Sequence, residues 1–456
     1  MRDAIIVGGG LAGLTAAWYL RHRDVLVLES EKRFGGRVQS ERRGSYWLNW
    51  GGHVYAGKNS ATDDLLKSVG INSAPMPGTL KGLALNGKVL LSGSVDTYPF
   101  RVPLSWSTRL ALVKPGLKIR MAVKKFGKAV ERRHGEDYWS QQQRVYNFMN
   151  DKSFRDFVGE LPEDADAFFK PTVSRSSGDP EQIAAGAGVG YFNLVWSKDN
   201  VEGGLTRYIQ GGASNITDTI AASLKDRCLK EAVVQEVVQE DDSVTVRYTK
   251  DGVDHEERAR YVVLATQAPI SQKIAKNIDP GMSDALGKIK YGPYVSAAFL
   301  TNETGPQIWD NAYAIATPKR SFNVAFNMSN MVRASEAKGY REKGSSFMTF
   351  SPASFARVFE GKDNDYVVDT YLKDLDDIFP GFSKNVVEAK VMRWKLGVPF
   401  CFPGRAKLQP KLTRPSGRIY LAGDYLGTFY TETSIQTATT AAQHILSHLG
   451  TADQQG

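Results

Sequence analysis

Glycines near the N-terminus have the spacing that binds a phosphate group. Gly8, Gly10 and Gly13 form a G-x-G-x-x-G pattern between an apolar run at residues 4–7 and a segment with helical periodicity, and Glu29 follows the next apolar run. In such a strand-turn-helix-strand unit, backbone amides approach a pyrophosphate and the acid accepts hydrogen bonds from a ribose diol. The pattern predicts a dinucleotide site, although a glycine-rich turn without a ligand shares its local sequence. The residues expected to line the site are Gly8, Gly10, Leu11, Ala12, Gly13, Glu29 and Ser30.

The glycine pattern leaves NAD and FAD open, and the residues after Glu29 address that choice. Arg33, Gly35, Gly36 and Arg37 add two glycine amides and two cations close to the expected pyrophosphate. They match the RxGGR segment of flavoproteins, and the whole arrangement resembles the flavin amine oxidase superfamily, which includes monoamine and polyamine oxidases, protoporphyrinogen oxidases and carotenoid desaturases. The resemblance implies FAD and an α/β fold, with a Rossmann-like FAD-binding domain interleaved with an α+β substrate domain.

The resemblance assigns further cofactor contacts in the first and middle parts of the chain. A strand that ends in Gly51 and Gly52 would pass close to the isoalloxazine ring and bring His53 to the site. A packed histidine beside a glycine bend is the alternative. Val234 matches a valine that contacts the adenine end through its backbone.

The C-terminal part of the chain is expected to hold the ring end of the cofactor. A strand leads to Gly423 and Asp424, and the resemblance implies that Asp424 binds a ribityl hydroxyl. A helix predicted at about residues 434–449 would place partial positive charge, at its N-terminus near Ile435 and Gln436, at flavin N1 and O2, and Ser434 and Ile435 are expected among the cofactor-binding residues. Its dipole would stabilise the negative charge that reduction places there.

The chain departs from the amine-oxidising members at two positions. Those members carry a lysine that holds a water against flavin N5, and the position that lines up here is about Ser296. Monoamine oxidases place an aromatic wall where this chain has Ser434. The resemblance therefore supports FAD but not a small arylalkylamine substrate.

Residues 393–404 resemble a stretch that protoporphyrinogen oxidases and desaturases carry before their last strand. Trp394 is the candidate catalytic residue beside the ring, with a core tryptophan as the alternative. Cys401 does not stand where covalently flavinylated monoamine oxidases have their cysteine, which favours a non-covalent FAD. The residues expected to line the substrate site are Tyr55, Phe400 and Tyr430, with Phe429 beside them.

The length of 456 residues is too great for one compact core and predicts two intertwined domains. We divide the FAD-binding domain into residues 1–78, 201–286 and 391–456, and the substrate domain into the mostly helical residues 79–200 and residues 287–390.

Composition and charge exclude several other classes of protein. The content of 42% apolar and 23% charged residues is that of a soluble globular protein. The net charge of +9 is scattered, without the aromatic-interleaved basic stripe of a nucleic-acid-binding protein. Two distant cysteines support neither a disulfide framework nor a metal site. Without a recognisable secretory signal or spanning segment, we expect a cytoplasmic protein.

A basic amphipathic segment covers residues 104–128, and Pro115 and Gly116 are expected to break it into two short helices. Such a segment, within residues 104–134, can rest weakly on a membrane surface. The alternative is a solvated outer face over an apolar inner one. The oligomeric state is left open.

Three functions are compatible with these patterns. The first is protoporphyrinogen oxidase-like or desaturase-like dehydrogenation, with hydride taken from a carbon of an apolar small molecule. The second is an amine oxidase that takes hydride from a carbon next to nitrogen, with O2 as the acceptor. The third is a flavin-binding protein without oxidase chemistry, or a flavin-dependent mutase.

Overall fold

The computed structural model describes residues 1–77, 81–196, 205–333, 342–428 and 430–452, which form two large β-sheets and many helices. The strands are β1 (Arg2–Val7), β2 (Val25–Leu28), β3 (Ser40–Arg43), β4 (Tyr46–Asn49), β5 (Tyr55–Ala56), β6 (Ser73–Pro75), β7 (Gly82–Leu85), β8 (Lys88–Leu90), β9 (Leu205–Ile209), β10 (Cys228–Leu229), β11 (Ala232–Gln239), β12 (Val244–Lys250), β13 (Val253–Leu264), β14 (Ala275–Lys276), β15 (Tyr291–Thr301), β16 (Ala314–Ala316), β17 (Val324–Asn327), β18 (Ser346–Pro352), β19 (Val386–Pro399) and β20 (Ile419–Leu421). The α-helices are α1 (Leu11–Tyr19), α2 (Ala61–Val69), α3 (Tyr98–Arg101), α4 (Trp106–Val130), α5 (Tyr138–Asn147), α6 (Phe154–Val158), α7 (Glu163–Ser174), α8 (Ala185–Trp196), α9 (Asn215–Leu224), α10 (Ala268–Ile274), α11 (Pro280–Gly287), α12 (Ser329–Arg333), α13 (Ser354–Arg357), α14 (Asn364–Ile378), α15 (Gln409–Leu412) and α16 (Thr431–Ala452).

Sheet I has the strand order β10-β2-β1-β13-β12-β11-β14, with β20 beside β13. Its strands β10, β2, β1, β13 and β20 run parallel, whereas β11, β12 and β13 form an antiparallel meander. The parallel part is buried on both faces, as the fully buried Ile5 and Ile6 of β1 show, because helices must cover both sides of such strands. The predicted α/β class and its N-terminal β-α-β unit are confirmed.

Sheet II has the strand order β19-β15-β18-β17-β16-β7-β8 and is mainly antiparallel. Val295, Ala297 and Phe299 of β15 pack in one core with α14. Ala298 lies on the opposite face and packs against Leu48 and Trp50 at β4. Since side chains alternate along a strand, Ser296 shares the face of Ala298, towards the first sixty residues.

Helices α4, α6, α7 and α8 pack around one apolar cluster that contains Leu112, Phe154 and Phe192, and α5 packs against α4 in a second cluster through Val145. The prediction that Pro115 divides this region was wrong, because α4 runs unbroken from Trp106 to Val130. Proline removes one backbone hydrogen bond, but the buried contacts of the inner face, including Leu112, hold the turn in helical geometry.

The predicted boundaries at 78–79 and 200–201 lie outside the described residues. Asn86 and Gly87 form the turn of a hairpin, with φ angles of 48° and 75° between β7 and β8. Strand β19 continues through the predicted boundary at 390–391 and pairs with β15 along both parts. None of the described helices combines the length and apolar character needed to span a membrane.

Candidate functional site

The proposed cofactor-binding segments meet at one edge of sheet I. Gly8 follows the end of β1, Glu29 the end of β2, and Asp424 lies just beyond β20. These strands are parallel members of one sheet, so their carboxyl ends lie at the same edge. Ligands of open α/β sheets bind at this edge.

The glycine loop is shaped by close backbone approach. Gly8 has a φ of +106°, which favours glycine, and a Cβ placed on Gly13 would lie 1.8 Å from the Gly8 carbonyl oxygen. A Cβ on Gly10 would meet nothing nearer than Gly36 Cα at 3.8 Å. Gly13 is therefore needed for helix-strand packing, whereas Gly10 leaves open space in which a ligand fits. Leu11 and Ala12 begin α1 and are buried.

Glu29 faces this loop. Its Oε2 accepts a hydrogen bond of 2.6 Å from the Gly9 amide, and its Oε1 accepts one of 2.8 Å from the Glu31 amide. The Ser30 hydroxyl lies 3.3 Å from the same Oε1, and the Ser30 residue is exposed. The carboxylate is held beside the glycines, where it can accept hydrogen bonds from a ribose.

Arg33 braces the second glycine segment. Its guanidinium donates to the carbonyl oxygens of Phe34, at 3.0 Å, and of Gly36. Gly35 and Gly36 both have positive φ angles, of 103° and 55°. The arginine therefore closes the turn that presents Arg37.

Arg37 joins three distant parts of the chain. It forms two bonds of 2.9 Å with the carboxylate of Asp424 and donates a bond of 2.7 Å to the Gly397 carbonyl oxygen. The Gly423 amide is held by Thr437 Oγ1 of α16 at 3.0 Å. The open space at Gly10, the oriented acid Glu29 and this charged pair fit the glycine-cradled, ribose- and ribityl-binding chemistry that an FAD site requires.

His53 follows the Gly51–Gly52 bend and is buried. A Cβ on Gly51 would stand 1.9 Å from the Arg37 carbonyl oxygen, so the glycine bend passes directly over the RxGGR segment. His53 Nδ1 lies 3.1 Å from the Gly51 carbonyl oxygen, and its Nε2 lies 3.0 Å from the Tyr313 hydroxyl. Burial lowers the pKa of His53 to about 4, so the imidazole is neutral at pH 7. A Cβ on Gly52 would meet Thr431 at 3.5 Å.

Val234 lies on the meander, away from the glycine loop in sequence. It is half-buried in β11, packs against the apolar core of sheet I, and stands at a register shift between Val234 and Glu236. A register shift interrupts the ladder of hydrogen bonds and can free backbone groups for a ligand.

A cavity of about 960 Å³ opens beside Asp424 and extends between α4, α5 and α8. Phe400 and Tyr430, two of the residues predicted to line the substrate site, lie in its wall. Its aromatic walls also include Phe126, Tyr138, Tyr146, Phe148, Tyr191 and Tyr425. The cavity is large enough for a small organic molecule.

Tyr55 and Trp394, two other aromatic residues predicted to lie at the site, do not line this cavity. Tyr55 was expected to line the substrate site, but it is fully buried in the core beside α1, and its hydroxyl donates to the Ala213 carbonyl oxygen. That prediction was wrong. Trp394 is half-buried on β19, with the Arg33 guanidinium 6.0 Å from its ring centre, and is not part of the cavity wall. Phe429 lies outside the described residues.

The start of the C-terminal helix also differs from the prediction. Helix α16 begins at Thr431, and the Ser434 amide already donates to the Tyr430 carbonyl oxygen at 2.9 Å. Ile435 is fully buried in the core of sheet I. The free amides of the helix N-terminus therefore precede Ser434 and Ile435. The prediction placed the start too late because Thr431 and Thr433 are β-branched residues, whose helix propensity is low.

Several cavity residues carry no motif that sequence reasoning could use. Tyr146 and Tyr191 come from α5 and α8, which show only the apolar periodicity of packed helices. Arg405 stacks 4.6 Å from the Tyr146 ring centre and donates to the Tyr425 carbonyl oxygen. Their convergence depends on the packing of separate helices.

Comparison with known proteins identifies the family. The family profile described as "Flavin containing amine oxidoreductase" matches residues 11–446. The chain belongs to this family. It is 38% identical over 98 residues to "Probable flavin-containing monoamine oxidase A" of Dictyostelium discoideum, covering 21% of this chain and 22% of the relative. It is 31% identical over 74 residues to "Coproporphyrinogen III oxidase" of Staphylococcus aureus, covering 15% of this chain and 16% of the relative.

The solved structure of a putrescine oxidase variant has a TM-score of 0.77 with this flavin-containing amine oxidoreductase, at 16% identity, and the match covers 98% of this chain and 99% of that chain. The predicted membership, fold class and oxidoreductase class are confirmed. The two curated relatives are matched over less than a quarter of their own lengths. Their printed names include both an amine oxidase and a porphyrinogen oxidase.

Proposed function

We propose that this flavin-containing oxidoreductase binds FAD non-covalently and abstracts hydride from a carbon of an apolar small molecule, in a dehydrogenation like that of protoporphyrinogen oxidases and desaturases. The observation that carries this proposal is Ser296, which is buried on the face of sheet II where the amine-oxidising relatives are expected to have lysine. No lysine occurs among the described residues of the cavity wall. A fixed cation there would help O2 accept electrons, so its replacement by serine favours slow reoxidation by O2.

The shape and lining of the cavity support an apolar substrate. The rings of Phe126, Phe148, Phe400 and Tyr430 contribute apolar wall. Burial raises the pKa of the Tyr430 phenol above its usual value, so its hydroxyl remains protonated and can act as a hydrogen-bond donor. Such a site excludes water from the reacting C–H bond while fixing the orientation of the substrate.

Different residues of the candidate site would bind the two ends of the cofactor and the substrate. Bound FAD supplies the hydride acceptor. In the proposal Gly10 and Glu29 hold its adenosine diphosphate end, and Arg37 with Asp424 binds near the ribityl chain. The aromatic wall then places the substrate carbon against the ring.

The state of Cys401 supports non-covalent attachment. Burial raises the pKa of Cys401 to about 12, so the group is a neutral thiol at pH 7 and a poor nucleophile. Cys401 and Cys228 are both unpaired, which agrees with the proposed cytoplasmic location.

The test of the proposal is the absorption spectrum of the pure protein, followed by anaerobic bleaching against candidate substrates. We expect a flavin spectrum that bleaches with a porphyrinogen or a polyene precursor and not with mono- or polyamines, and slow return of colour in air. Acid precipitation should release the flavin into the supernatant. Rapid bleaching by an amine with stoichiometric hydrogen peroxide would reverse the order of the two hypotheses.

The alternative is an amine oxidase that takes hydride from a carbon next to nitrogen, with the flavin reoxidised by O2. The similarity to a relative named as a monoamine oxidase favours it. This enzyme would bleach with amines and regain its colour within seconds of aeration. A flavoprotein that no amine or alkene reduces would support the third reading, a binding protein or mutase.

We also propose that the outer face of α4 makes weak contact with an anionic membrane surface. Trp106, Leu110, Val113, Leu117 and Met121 follow one another at helical spacing and are between 54% and 72% exposed. Cationic side chains on the same helix are Arg109, Lys114, Lys118, Arg120, Lys124, Lys125 and Lys128. An apolar stripe with basic neighbours is the composition of a helix that lies in a lipid interface.

Substituting both Leu110 and Leu117 by glutamate is expected to reduce binding to phosphatidylserine-containing vesicles by roughly tenfold or more, since each leucine would otherwise insert apolar surface into the interface. Vesicle sedimentation measures the bound fraction. Val358→Glu alters an apolar side chain that is 61% exposed elsewhere, and should leave binding unchanged. Wild-type protein that stays in the supernatant with anionic vesicles at low salt would disprove the contact.

A further inference from the structure

Arg175 is a half-buried cation whose side chain has no hydrogen-bond or ion-pair partner in the described part of the chain. It caps the C-terminal end of α7, where its backbone carbonyl oxygen accepts a bond of 2.5 Å from the Tyr294 hydroxyl. Its Nε is buried without a hydrogen-bond partner, and so is Ser174 Oγ in the preceding residue. Burial lowers the pKa of Arg175 to about 10, so the group still carries its charge at pH 7.

Other arginines in this protein show what Arg175 lacks. Arg37 is paired with Asp424 at 2.9 Å, and Arg333 is paired with Asp310 at 2.7 Å. The acid nearest to Arg175 in sequence is Asp179. Its carboxylate instead accepts the Ser354 hydroxyl at 2.6 Å and lies 3.6 Å from Arg357. Desolvation of a guanidinium that has no acid beside it is unfavourable, and an anionic ligand group would offset that cost.

Arg175 lies beside the ring end of the candidate site. The groups that act on its charge are the phenols of Tyr294 and Tyr313, and Tyr313 is the hydrogen-bond partner of His53. A Cβ on Gly397 would be 2.7 Å from the Tyr294 ring, and the carbonyl oxygen of Gly397 is held by Arg37.

The turn that follows Arg175 packs tightly against sheet II. Ser176, the residue after Arg175, lines the large cavity. A Cβ on Gly292 of β15 would lie 1.8 Å from the Ser177 carbonyl oxygen, so the turn is clamped against sheet II. This contact fixes the backbone that presents the guanidinium, as a pre-organised binding site requires.

We propose that Arg175 binds a carboxylate group of the substrate, with the Tyr313 hydroxyl beside it, and so selects apolar molecules that carry an acid. This inference rests on the proposed function and narrows its substrate class. The planar guanidinium can bind both oxygens of a carboxylate, and a protonated amine would meet repulsion at the same point. The pyrophosphate of FAD belongs at the glycine loop, at the other end of the cofactor, so it does not pair with Arg175.

Benzoate and benzamide form a matched pair of probes, since they differ mainly in charge. By titration calorimetry with the purified holoenzyme we expect benzoate to bind roughly tenfold or more tightly than benzamide. Arg175→Met should remove this preference by weakening benzoate alone, whereas Arg175→Lys should keep part of it. Arg357→Met removes a nearby surface cation and should leave both affinities within about twofold.

A second measurement separates a ligand-binding arginine from a structural one. Without ligand, Arg175→Met should melt at the same temperature as the wild type or higher, because an uncompensated charge is removed. Benzoate should raise the melting temperature of the wild type but not that of this variant. A lower melting temperature for the unliganded variant, or equal affinity of the wild-type protein for benzoate and benzamide, would overturn the proposal.

The outcome is also distinguishable from failure of the proposed function. If neutral and acidic forms of the same reducing substrate bleach the flavin with equal kcat/KM, the carboxylate site is wrong while the dehydrogenation stands. If nothing apolar bleaches the flavin but benzoate still binds through Arg175, the proposed reaction is wrong and the acid site stands.

Discussion

Gly10→Val is expected to yield a folded, colourless protein. A Cβ at this position meets nothing nearer than 3.8 Å, and Gly10 has a φ of −77° that any residue can adopt. The unliganded fold should therefore tolerate valine. The space that valine fills is the space we assign to the pyrophosphate of FAD, whose charge-assisted bonds to loop amides would be lost.

The size of the effect follows from the number of bonds at stake. Loss of two such bonds corresponds to roughly 3 kcal/mol or more, or at least ~100-fold in the dissociation constant. The flavin-to-protein absorbance ratio after purification, and titration of the apoprotein with FAD, measure it. The melting temperature of the apoprotein shows whether the fold survives.

Gly13→Ala is the matched control in the same loop. Its Cβ would stand 1.8 Å from the Gly8 carbonyl oxygen, so alanine must displace the backbone. We expect this variant to lose both flavin and apoprotein stability, whereas Gly10→Val loses flavin alone. A yellow Gly10→Val protein with wild-type affinity would remove the glycine loop from the cofactor site.

The parts of this fold that sequence predicts well are those determined by local pattern. Strand β2 is a short apolar run whose residues are all buried, and the glycine loop has its own steric requirements. The hairpin at Asn86 and Gly87 follows for the same reason, since both residues take the left-handed conformation that the turn requires. Each of these features can be read from fewer than ten neighbouring residues.

The features that sequence misses depend on contacts between distant segments. Pro115 stays inside a helix because its inner face is packed, and Tyr55 is buried because the chain folds back over it against α1. Arg175 belongs to no motif. It differs from other arginines only because no acid lies around it among the described residues, and the sequence does not show this. Tertiary packing decides all three, and no local pattern records it.

Arg37→Met is expected to destabilise the apoprotein markedly, independently of any effect on cofactor binding. The variant leaves Asp424 without its two 2.9 Å bonds and Gly397 without its donor. The side chains of Arg37 and Asp424 are 28% and 10% exposed, so solvent screens part of the interaction. We therefore expect a loss of roughly 2–3 kcal/mol, towards the low end for a broken buried pair, measured by urea unfolding of the apoprotein.

A double-mutant cycle isolates the pair from the other effects of each substitution. Asp424→Asn should cost a similar amount, and the double variant Arg37→Met, Asp424→Asn should lose about 1–2 kcal/mol less than the sum, because no unpaired charge remains. Arg247→Met breaks two exposed pairs, with Glu236 at 2.7 Å and with Glu256 at 2.9 Å, and should produce no measurable change. Strict additivity of the two site variants would show that Arg37 and Asp424 do not act together.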